Sequence, residues 1–381
     1  MRNCHREIAR WMERLDAQVS IDAAGNFRGF YPAAHHAPRL ILGSHLDTVP
    51  NAGTYDGVLG VVLAIALLEA LEGRKLPYGI EVVGFSEEEG VRFGTPFIGS
   101  RALIGKLDAE ILNRQDENCV SVREAIQQFG LNPEEIPRAY INPDTLAYIE
   151  FHIEQGPVLE ELGYPLGIVE AIAGQSRLEF TFLGHANHAG TTPMHLRHDA
   201  MVAAAEWIGE VERMTNAVAG AVGTVGKLEV KHGATNVIAG NVQLTLDVRH
   251  RSDEIRNRLV SELIAKAEGI SKRRGLALRH SVLLSQAAVP MNEFLINDID
   301  RAVRKSGCVP HRMISGAGHD AMILAEKIPA AMVFLRSPGG ISHDPAESVD
   351  PEDIEKAIEC GLHLLDQLAL SPEFLKRMVR A

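Results

Sequence analysis

The chain has 381 residues, of which 46% are hydrophobic, and this length suits roughly two domains with sizeable cores. Lys and Arg number 38 against 50 Asp and Glu, so the formal net charge is -12. This acidic balance, without any basic run, argues against a nucleic-acid-binding protein. The four cysteines show no Cys-x-x-Cys spacing, which indicates neither a disulfide framework nor a cysteine-based zinc site.

The longest apolar stretch, at 58–68, is well short of the about 18–20 residues that a bilayer span needs. Residues 1–10 carry several charges and no apolar segment of the kind found in secretory signals. We therefore expect a soluble, cytoplasmic protein with no membrane partner.

Three segments of the first half are rich in apolar residues and predict buried strands, at 39–44, 79–86 and 146–153. A helical pattern at 57–71 lies between the first two strands. This alternation is typical of β-α-β units around a mostly parallel sheet. Polar residues of catalytic type follow these strands, at the edge where open α/β sheets bind their ligands.

The pattern changes at about residue 175, where strand, helix, strand, strand, helix and strand follow in order. This order predicts a small α+β sandwich with helices on one face of an antiparallel sheet. The α/β pattern then returns, with a strand at 330–335 and a closing helix at 350–368. We predict an α/β protein with a mixed-sheet catalytic domain, residues 1–174 and 291–381, and an inserted α+β domain at 175–290.

The first candidate site residues follow the strand at 39–44. On an extended segment His45 and Asp47 point to the same side, so the Asp47 carboxylate could orient a metal-bound imidazole. A structural histidine at a strand end is the alternative. Asp56 precedes the apolar helix, where it is either a metal ligand or an ordinary helix N-cap.

Three adjacent carboxylates, Glu87, Glu88 and Glu89, follow the strand at 79–86. Like charges in a partly buried cluster raise each other's pKa unless a cation neutralises them. A solvated acidic turn is the alternative to a cation site here.

Two further histidines are candidate metal ligands. His152 lies at the end of an apolar strand, and His343 lies in a glycine-rich loop. Each histidine alone is more often structural than a ligand. Together, three histidines, one loop aspartate and a carboxylate cluster supply the nitrogen and oxygen ligands of a two-metal hydrolytic site.

Seven motifs extend over nearly the whole chain. They are Gly-Ser-His-Leu-Asp-Thr-Val-Pro, Tyr-Asp-Gly, Glu-Glu-Glu-Gly-Val-Arg-Phe, His-Ile-Glu-Gln-Gly-Pro-Val-Leu-Glu, Gly-His-Ala-Asn-His-Ala-Gly-Thr-Thr-Pro-Met, Ser-Gly-Ala-Gly-His-Asp-Ala-Met and Gly-Gly-Ile-Ser-His-Asp-Pro-Ala-Glu. With these motifs the sequence resembles the ureido amidohydrolase branch of the dinuclear metallo-aminoacylase and carboxypeptidase family. That branch holds allantoate amidohydrolases and N-carbamoyl-L-amino-acid hydrolases.

The resemblance implies a catalytic domain with an inserted dimerisation or lid domain, two divalent metal ions and a homodimer. It also implies that Asp56 bridges the ions and that Asp47 orients His45. The implied metal ligands are His45, Asp56, Glu89, His152 and His343. Zinc or manganese suits such ligands, with cobalt and nickel as alternatives.

In the family's acidic motif the residue before the metal-binding glutamate is the general base, so the resemblance implies that Glu88 is the base. Such a carboxylate takes a proton from water and passes it to the leaving nitrogen. Three consecutive glutamates leave the register of the motif open. The rival assignment makes Glu87 the base and Glu88 the metal ligand. The resemblance further implies that His188, usually reaching in from the partner subunit, stabilises the oxyanion.

A small substrate with a carboxylate is best held by a guanidinium, and Arg249 matches the family's carboxylate-binding arginine. Asn236 matches its companion amide. Gln155 and the backbone of Gly339 and Gly340 are expected to hydrogen-bond the ureido group, with a surface side chain and a plain flexible loop as the alternatives.

The expected reaction is metal-dependent hydrolysis of a ureido C–N bond in a small carboxylate substrate. Arg336, ahead of Ser337, resembles the arginine that allantoate-type members often have in this stretch, and the resemblance favours allantoate, which would release ammonia and carbon dioxide. An N-carbamoyl-L-amino acid is the alternative substrate, and an aminoacylase-like hydrolase or a non-catalytic ligand-binding homologue is the alternative class. Family members usually carry a longer stretch before residues 7–25, so we expect part of a capping helix to be missing.

Overall fold

The computed structural model describes residues 1–33, 35, 37–371 and 374. Its contacts divide the chain into two compact units. The larger unit comprises Met1–Glu170 and Met291–Ala381, and the smaller unit comprises Ala171–Pro290. That the larger unit is catalytic and the smaller one a dimerisation or lid domain stays a prediction.

The strands of the described residues alternate with helices in the larger unit and cluster in the smaller one. In chain order they are β1 (Gln18–Ile21), β2 (Phe27–Tyr31), β3 (Arg39–His45), β4 (Gly79–Phe85), β5 (Thr145–Ile153), β6 (Leu166–Ile172), β7 (Gly174–Leu183), β8 (Val222–Thr224), β9 (Leu228–Val230), β10 (Asn241–His250), β11 (Ala277–Gln286), β12 (Val289–Pro290), β13 (Arg312–Ser315) and β14 (Ala330–Leu335).

The helices range from single turns to long amphipathic segments. They are α1 (Arg2–Glu13), α2 (Val58–Ala70), α3 (Ile98–Leu103), α4 (Ala109–Leu112), α5 (Val122–Gln128), α6 (Val158–Leu162), α7 (Ala200–Asn216), α8 (Asp253–Arg274), α9 (Glu293–Lys305), α10 (Asp320–Leu324) and α11 (Pro351–Leu370). Short 3-10 helices cover Pro133–Ala139, Met194–Leu196 and Pro338–Gly340. Within the described ranges, no helix combines the length and the apolar character that crossing a membrane requires.

The larger unit is built on a mixed sheet, as the sequence predicted. Its strand order is β1-β2-β4-β3-β5-β14-β6, with β13 beside β6. The central strands β4, β3, β5 and β14 are parallel to their neighbours in this group. Antiparallel pairs flank the centre, because β2 runs against β4 and β6 runs against β14.

The helix α2 connects β3 to β4 and packs on β3, β4 and β5. Its apolar sequence has many buried residues, because one helix covers several strands of the sheet. Gly60 allows the close approach, since a Cβ atom there would lie 2.1 Å from the carbonyl oxygen of Phe151. The start of α2, and with it Asp56, is thereby held close to the end of β5.

The register of the parallel strands determines where their polar ends lie. His45 pairs with Phe85 across β3 and β4, and His152 pairs with Phe334 across β5 and β14. The segments that leave β4 and β14 therefore start at the same edge of the sheet as the two histidines. These segments carry the glutamates at 87–89 and the glycine-rich loop at 337–343.

The smaller unit contains an antiparallel sheet in the order β11-β7-β10-β8, with β9 also paired to β10. Buried and partly exposed residues alternate along β7 and β10, which is typical of a sheet with one covered face. Phe180, Phe182 and Trp207 form the centre of the core together with apolar residues of α7 and α8. The predicted element order is confirmed, and the short strand β8 is added to it.

Candidate active site

His45 is the last residue of β3 and is 1% exposed. Its Nδ1 lies 2.9 Å from the main-chain oxygen of Asp47 and 4.0 Å from the Asp47 carboxylate. Asp47 therefore contacts the imidazole through its main chain, whereas the sequence assigned this contact to its carboxylate. An acceptor at Nδ1 fixes the ring and leaves Nε2 directed at its other neighbours.

Those neighbours are Asp56 and His152. The Oδ1 atom of Asp56 lies 3.4 Å from Nε2 of His45 and 3.2 Å from Nε2 of His152. The Nδ1 atom of His152 lies 2.9 Å from the main-chain oxygen of Ile153, and all three polar side chains are at most 2% exposed. Two main-chain acceptors thus point two imidazole nitrogens at one carboxylate oxygen.

The acidic segment after β4 is held by Asp47. Its two carboxylate oxygens each accept an N–H, one from Glu88 at 3.1 Å and one from Glu89 at 3.1 Å. Glu88 is 6% exposed, and its Oε2 lies 3.9 Å from Nε2 of His45. The Asp47 carboxylate consequently fixes the backbone from which both glutamate side chains extend.

His343 completes the cluster from the loop after β14. Its Nε2 lies 3.1 Å from Oδ2 of Asp56 and 3.9 Å from Oε1 of Glu89. The His343 side chain is 48% exposed, in contrast to the buried residues on the other side of Asp56. One side of the cluster therefore faces the solvent.

Burial and neighbouring charges raise the pKa values of both an acidic and a basic group of this cluster. Burial raises the pKa of Glu88 well above its ordinary value, and the nearby carboxylates of Asp320, Glu89 and Asp47 add to this effect. Burial opposes the charged form of His45, but Glu88, Asp56 and Asp47 outweigh it and raise the pKa of His45. Positive charge is stabilised at this edge, and additional negative charge is not.

A comparison with family models matches residues 41–367 to the model described as peptidase family M20/M25/M40. The chain belongs to this family. Its resemblance to the ureido branch is confirmed by the curated relatives. The chain is 41% identical over 366 residues to the N-carbamoyl-L-amino acid amidohydrolase of Geobacillus stearothermophilus, covering 95% of this chain and 90% of that protein.

Two further relatives agree. A probable allantoate deiminase of Oryza sativa subsp. japonica is 37% identical over 404 residues, covering 95% of this chain and 82% of that protein. A solved amidase of the hydantoinase/carbamoylase family from Burkholderia multivorans matches with a TM-score of 0.91 and 31% identity, over 96% of this chain and 90% of that chain. The mixed-sheet architecture is therefore that of an M20/M25/M40 family member.

The residues present fit divalent cations. Among the described residues, ligand atoms within 4.8 Å of one another occur in His45, Asp56 and His152, in His45, Glu88 and Glu89, and in Asp56, Glu89 and His343. The Oδ1 atom of Asp56 and the Oε1 atom of Glu89 are buried without a hydrogen-bond partner. Unpartnered buried carboxylate oxygens next to imidazole nitrogens are the donor set that zinc and manganese bind.

Glu87 lies outside these groups although it adjoins Glu88. It borders a cavity of about 130 Å³ together with Phe93, Ile98, Val122 and Ile126. The backbone of Glu87 has a φ of +58°, a left-handed conformation, so the chain changes direction at this residue. Burial, followed by the nearby Asp47, raises the pKa of Glu87 to about 7. This arrangement favours Glu88 and Glu89 over the rival pair Glu87 and Glu88.

Gln155 lies next to the cluster, and its hydrogen bond to the ureido group stays a prediction. Its Nε2 donates to Oδ2 of Asp56 at 2.8 Å, and its own N–H donates to Oγ of Ser337 at 3.1 Å. The N–H of Gly339 donates to Glu160 at 2.8 Å, and that of Gly340 donates to the carbonyl of Ser337 at 2.8 Å. Both N–H groups thus have partners within the protein, and a hydrogen bond from the backbone of Gly339 and Gly340 to the ureido group stays a prediction.

The smaller unit brings His188 and Asn236 together. The N–H of Ala189, next to His188, donates to the main-chain oxygen of Asn236 at 2.9 Å. The backbone of His188 forms an isolated antiparallel β-bridge with that of Val237. Both side chains are exposed. The Nδ1 atom of His188 accepts the N–H of Gly190 at 3.1 Å, which leaves Nε2 of the ring directed away from its own turn.

Arg249 is oriented by a neighbour on the same strand. Its Nε and Nη2 atoms donate to the two carboxylate oxygens of Asp247, at 2.9 and 3.1 Å. Asp247 also accepts from Arg177 at 2.9 Å and from Gln175 at 2.6 Å. These side chains share the partly exposed face of β7 and β10. The guanidinium is thus pre-oriented on the open face of the sheet.

Arg336, whose position favoured allantoate, is bound by two carboxylates of the protein itself. Its guanidinium binds Asp353 through two hydrogen bonds, at 2.8 and 3.0 Å, and Asp350 through one at 2.9 Å. It therefore joins the end of β14 to the start of α11. A preference for allantoate cannot be based on a substrate contact of this guanidinium.

Sequence reasoning did not assign three buried groups next to the cluster. Glu150 accepts from Oγ of Ser44 at 2.8 Å and from the N–H of Ala321 at 3.0 Å, which links β3, β5 and α10. The ring of His319 packs edge-on against His152, with a centroid distance of 4.5 Å. Glu347 hydrogen-bonds the backbone of Asp56. His319 and Glu347 lie within two quoted motifs, and their inclusion there was the available signal.

The buried position of Glu87 can be tested by protein stability. Between the unfolded pKa near 4.5 and the folded pKa near 7, the native state binds more protons at Glu87, so its stability falls as the pH rises. Glu87→Gln should therefore raise the free energy of unfolding by about 2 kcal/mol at pH 8 and hardly change it at pH 4.5. Chemical denaturation of chelator-treated protein measures both values.

Glu355→Gln, at an exposed position of α11, is the matched control and should leave the difference between the two pH values unchanged. A Glu87→Gln effect that is equal at pH 4.5 and pH 8 would contradict the buried position of this side chain.

Proposed function

We propose that the protein hydrolyses a ureido C–N bond in a small substrate that carries a carboxylate. The observation that carries the proposal is the buried cluster in which His45, His152 and His343 face Asp56, with Glu88 and Glu89 beside them. The relatives named for N-carbamoyl amino acids and for allantoate support the substrate class, because both compounds join a ureido nitrogen to a carboxylate.

His45, His152, His343, Asp56 and Glu89 would hold two divalent cations, with Asp56 as a ligand that belongs to two of the candidate groups. When bound, such cations act as Lewis acids that activate water and polarise the carbonyl group of the substrate. The three histidines are ligands in their neutral form, and each of the buried rings is already oriented by a main-chain carbonyl.

Glu88 is the proposed general base. Its side chain is buried beside His45, and burial raises its pKa well above the ordinary value of a glutamate. A carboxylate at this place can accept the proton of the attacking water and then deliver it to the leaving nitrogen. The main-chain N–H groups of Glu88 and Glu89 donate hydrogen bonds to the Asp47 carboxylate, which hold the backbone that carries this side chain.

The smaller unit would supply the groups that hold the substrate. His188 is the proposed donor to the developing oxyanion, and the adjacent Asn236 and the pre-oriented Arg249 are the proposed partners of the substrate carboxylate. Gln155 is the proposed hydrogen-bond partner of the ureido group. Its amide already contacts Asp56, so it lies at the edge of the cluster.

Two substrates remain, and each has its own support. Allantoate is our first candidate, on the motif around Arg336 and on the 37% identity to an allantoate deiminase. An N-carbamoyl-L-amino acid is the second candidate, on the 41% identity to an N-carbamoyl-L-amino acid amidohydrolase. Because Asp350 and Asp353 bind Arg336, the motif supports allantoate only as a sequence resemblance and not as a substrate contact, so a direct comparison of rates decides between the two candidates.

Ammonia release tests the reaction itself. Protein stripped with a chelator and reloaded with manganese or zinc should hydrolyse allantoate or N-carbamoyl-L-amino acids, and should do so little without metal. Glu88→Gln should retain the fold and the bound metal but lose about 10²–10⁴-fold in kcat, because the proton acceptor is gone. The ratio of kcat/KM values for the two substrates identifies the preferred one.

Glu87→Gln is the matched control and should keep kcat within a few-fold of the unmodified protein. Full activity of Glu88→Gln, with loss in Glu87→Gln, would move the base to Glu87. Faster hydrolysis of N-acyl amino acids or dipeptides than of either ureido compound would contradict the proposed substrate class. Metal binding without any hydrolysis would favour a ligand-binding homologue.

Arg249→Ala tests the carboxylate anchor. Loss of a charged, bidentate partner should raise KM about 10–100-fold with a smaller change in kcat. Asp247→Asn should raise KM by less, because it removes only the charge that orients Arg249. Arg177→Ala is the matched control, since Arg177 binds the same carboxylate and is 51% exposed. An unchanged KM in Arg249→Ala would refute its proposed role.

We also propose that two copies of the chain pair through the smaller unit. Among the described residues β11 is an edge strand that pairs with β7, and Val282 and Leu283 on it are 63% and 57% exposed. An exposed strand edge with apolar side chains is a surface for pairing with a second copy.

Sedimentation analysis tests this proposal. The protein should have twice the mass of one chain, and the double substitution V282D/L283D should shift it to a single chain. Val309→Asp, which changes an equally exposed valine in the larger unit, is the control. A single-chain mass for the unmodified protein would contradict the proposed homodimer.

A further inference from the structure

The loop that carries His343 also carries an acidic residue with unusual burial. Glu347 is 5% exposed, although Asp344, Pro345 and Ala346 before it are exposed. A carboxylate is seldom buried in such a loop unless several donors satisfy it. Its donors therefore indicate what it does.

Those donors come from the segment that ends at Asp56. The Oε1 atom of Glu347 accepts the N–H of Tyr55 at 3.0 Å and the N–H of Asp56 at 3.0 Å. The hydroxyl of Ser342 lies 3.3 Å from Oε2 of Glu347 and 3.4 Å from Oδ2 of Asp56. The Glu347 carboxylate thus binds the main-chain N–H of Asp56, and the Ser342 hydroxyl lies between the carboxylates of Glu347 and Asp56.

The glycines on either side show how tightly this segment is held. A Cβ atom on Gly53 would lie 2.3 Å from Cβ of Glu347 and 2.5 Å from its Oε1. A Cβ atom on Gly57 would lie 2.4 Å from the ring of His45. The segment at 53–57 is therefore confined between Glu347 on one side and His45 on the other.

We propose that Glu347 is a positioning residue that sets the place of Asp56 relative to His343. It does not touch the reacting atoms in this role. One loop carries both His343 and the carboxylate that holds Asp56, so the distance between these two ligand side chains is fixed by hydrogen bonds rather than by the length of a flexible loop. The inference rests on the metal centre of the proposed function.

A positioning role and a merely structural role predict different results. A structural role would lower the stability of the metal-free protein, and any loss of metal binding would follow from unfolding. A positioning role lowers the affinity for metal while the metal-free protein stays folded. Both properties can be measured without substrate.

The probe is cobalt alone, titrated into chelator-treated protein and followed by visible absorption, with thermal unfolding of the metal-free protein in parallel. Glu347→Ala should weaken cobalt binding about 10–100-fold and change its absorption spectrum. Glu347→Gln should stay within about three-fold, because the amide oxygen can still accept both N–H groups. Gly53→Ala should resemble Glu347→Ala, since its methyl group displaces the glutamate. Glu355→Ala, on the exposed face of α11, is the control.

Cobalt affinity and spectrum that are unchanged in Glu347→Ala would overturn the inference. If Glu347→Ala does not fold, Gly53→Ala provides the test instead. A folded Gly53→Ala variant with unchanged cobalt affinity would also overturn the inference. Failure of the unmodified protein to bind cobalt would refute the metal centre itself, and with it this role of Glu347. Cobalt binding that is normal in the unmodified protein and weak in the two alanine variants supports the inference.

Discussion

The register of four parallel strands is the constraint on which the site depends. Because β3, β4, β5 and β14 run in the same direction, their carboxyl ends lie at one edge of the sheet. Each strand is largely buried and apolar, with Glu81 in β4 and Glu150 in β5 as interior exceptions, and the segments that leave the strands are polar. His45 and His152 are the last or nearly the last residues of their strands, so the sheet itself brings their imidazoles to within 3.4 Å of each other. Segments remote in sequence meet there without a long connecting loop having to fold over them.

The same constraint creates an electrostatic conflict. It places the Glu88 and Glu89 side chains beside Asp56 in a buried volume, where burial raises the pKa of both glutamates. Without a cation, the cluster relieves the repulsion by taking up protons, either on its carboxylates or on the imidazole of His45. Divalent cations would reverse this balance, because they favour the ionised carboxylates and the neutral imidazoles at the same time. A buried group of acids that is unfavourable as a structural feature is therefore understandable as a site for cations.

The sequence was sufficient to predict the mixed sheet, the antiparallel unit and the cluster, because these follow from apolar runs, periodicity and polar strand ends. It was not sufficient for contacts that depend on the main chain. Nothing in the side chain of Asp47 reveals that its carboxylate binds two backbone amides while its carbonyl oxygen contacts His45. The N–H groups of Gly339 and Gly340 were likewise already used by Glu160 and Ser337. Arg336 shows the same limit, since its partners on α11 are set by tertiary packing rather than by neighbouring residues.

Carboxylates that do not act on the substrate explain how the acting groups hold their orientation. Asp47 fixes the backbone of Glu88, Glu347 fixes that of Asp56, and Asp247 fixes the guanidinium of Arg249. Each accepts two N–H bonds, so it removes freedom from a group whose reaction or binding requires one orientation. The strongly acidic composition therefore has a local meaning besides its effect on solubility. Part of the excess of Asp and Glu lies next to the site as acceptors for amides and guanidinium groups. Replacing these acceptors would disturb the site while leaving every reacting side chain in the sequence unchanged.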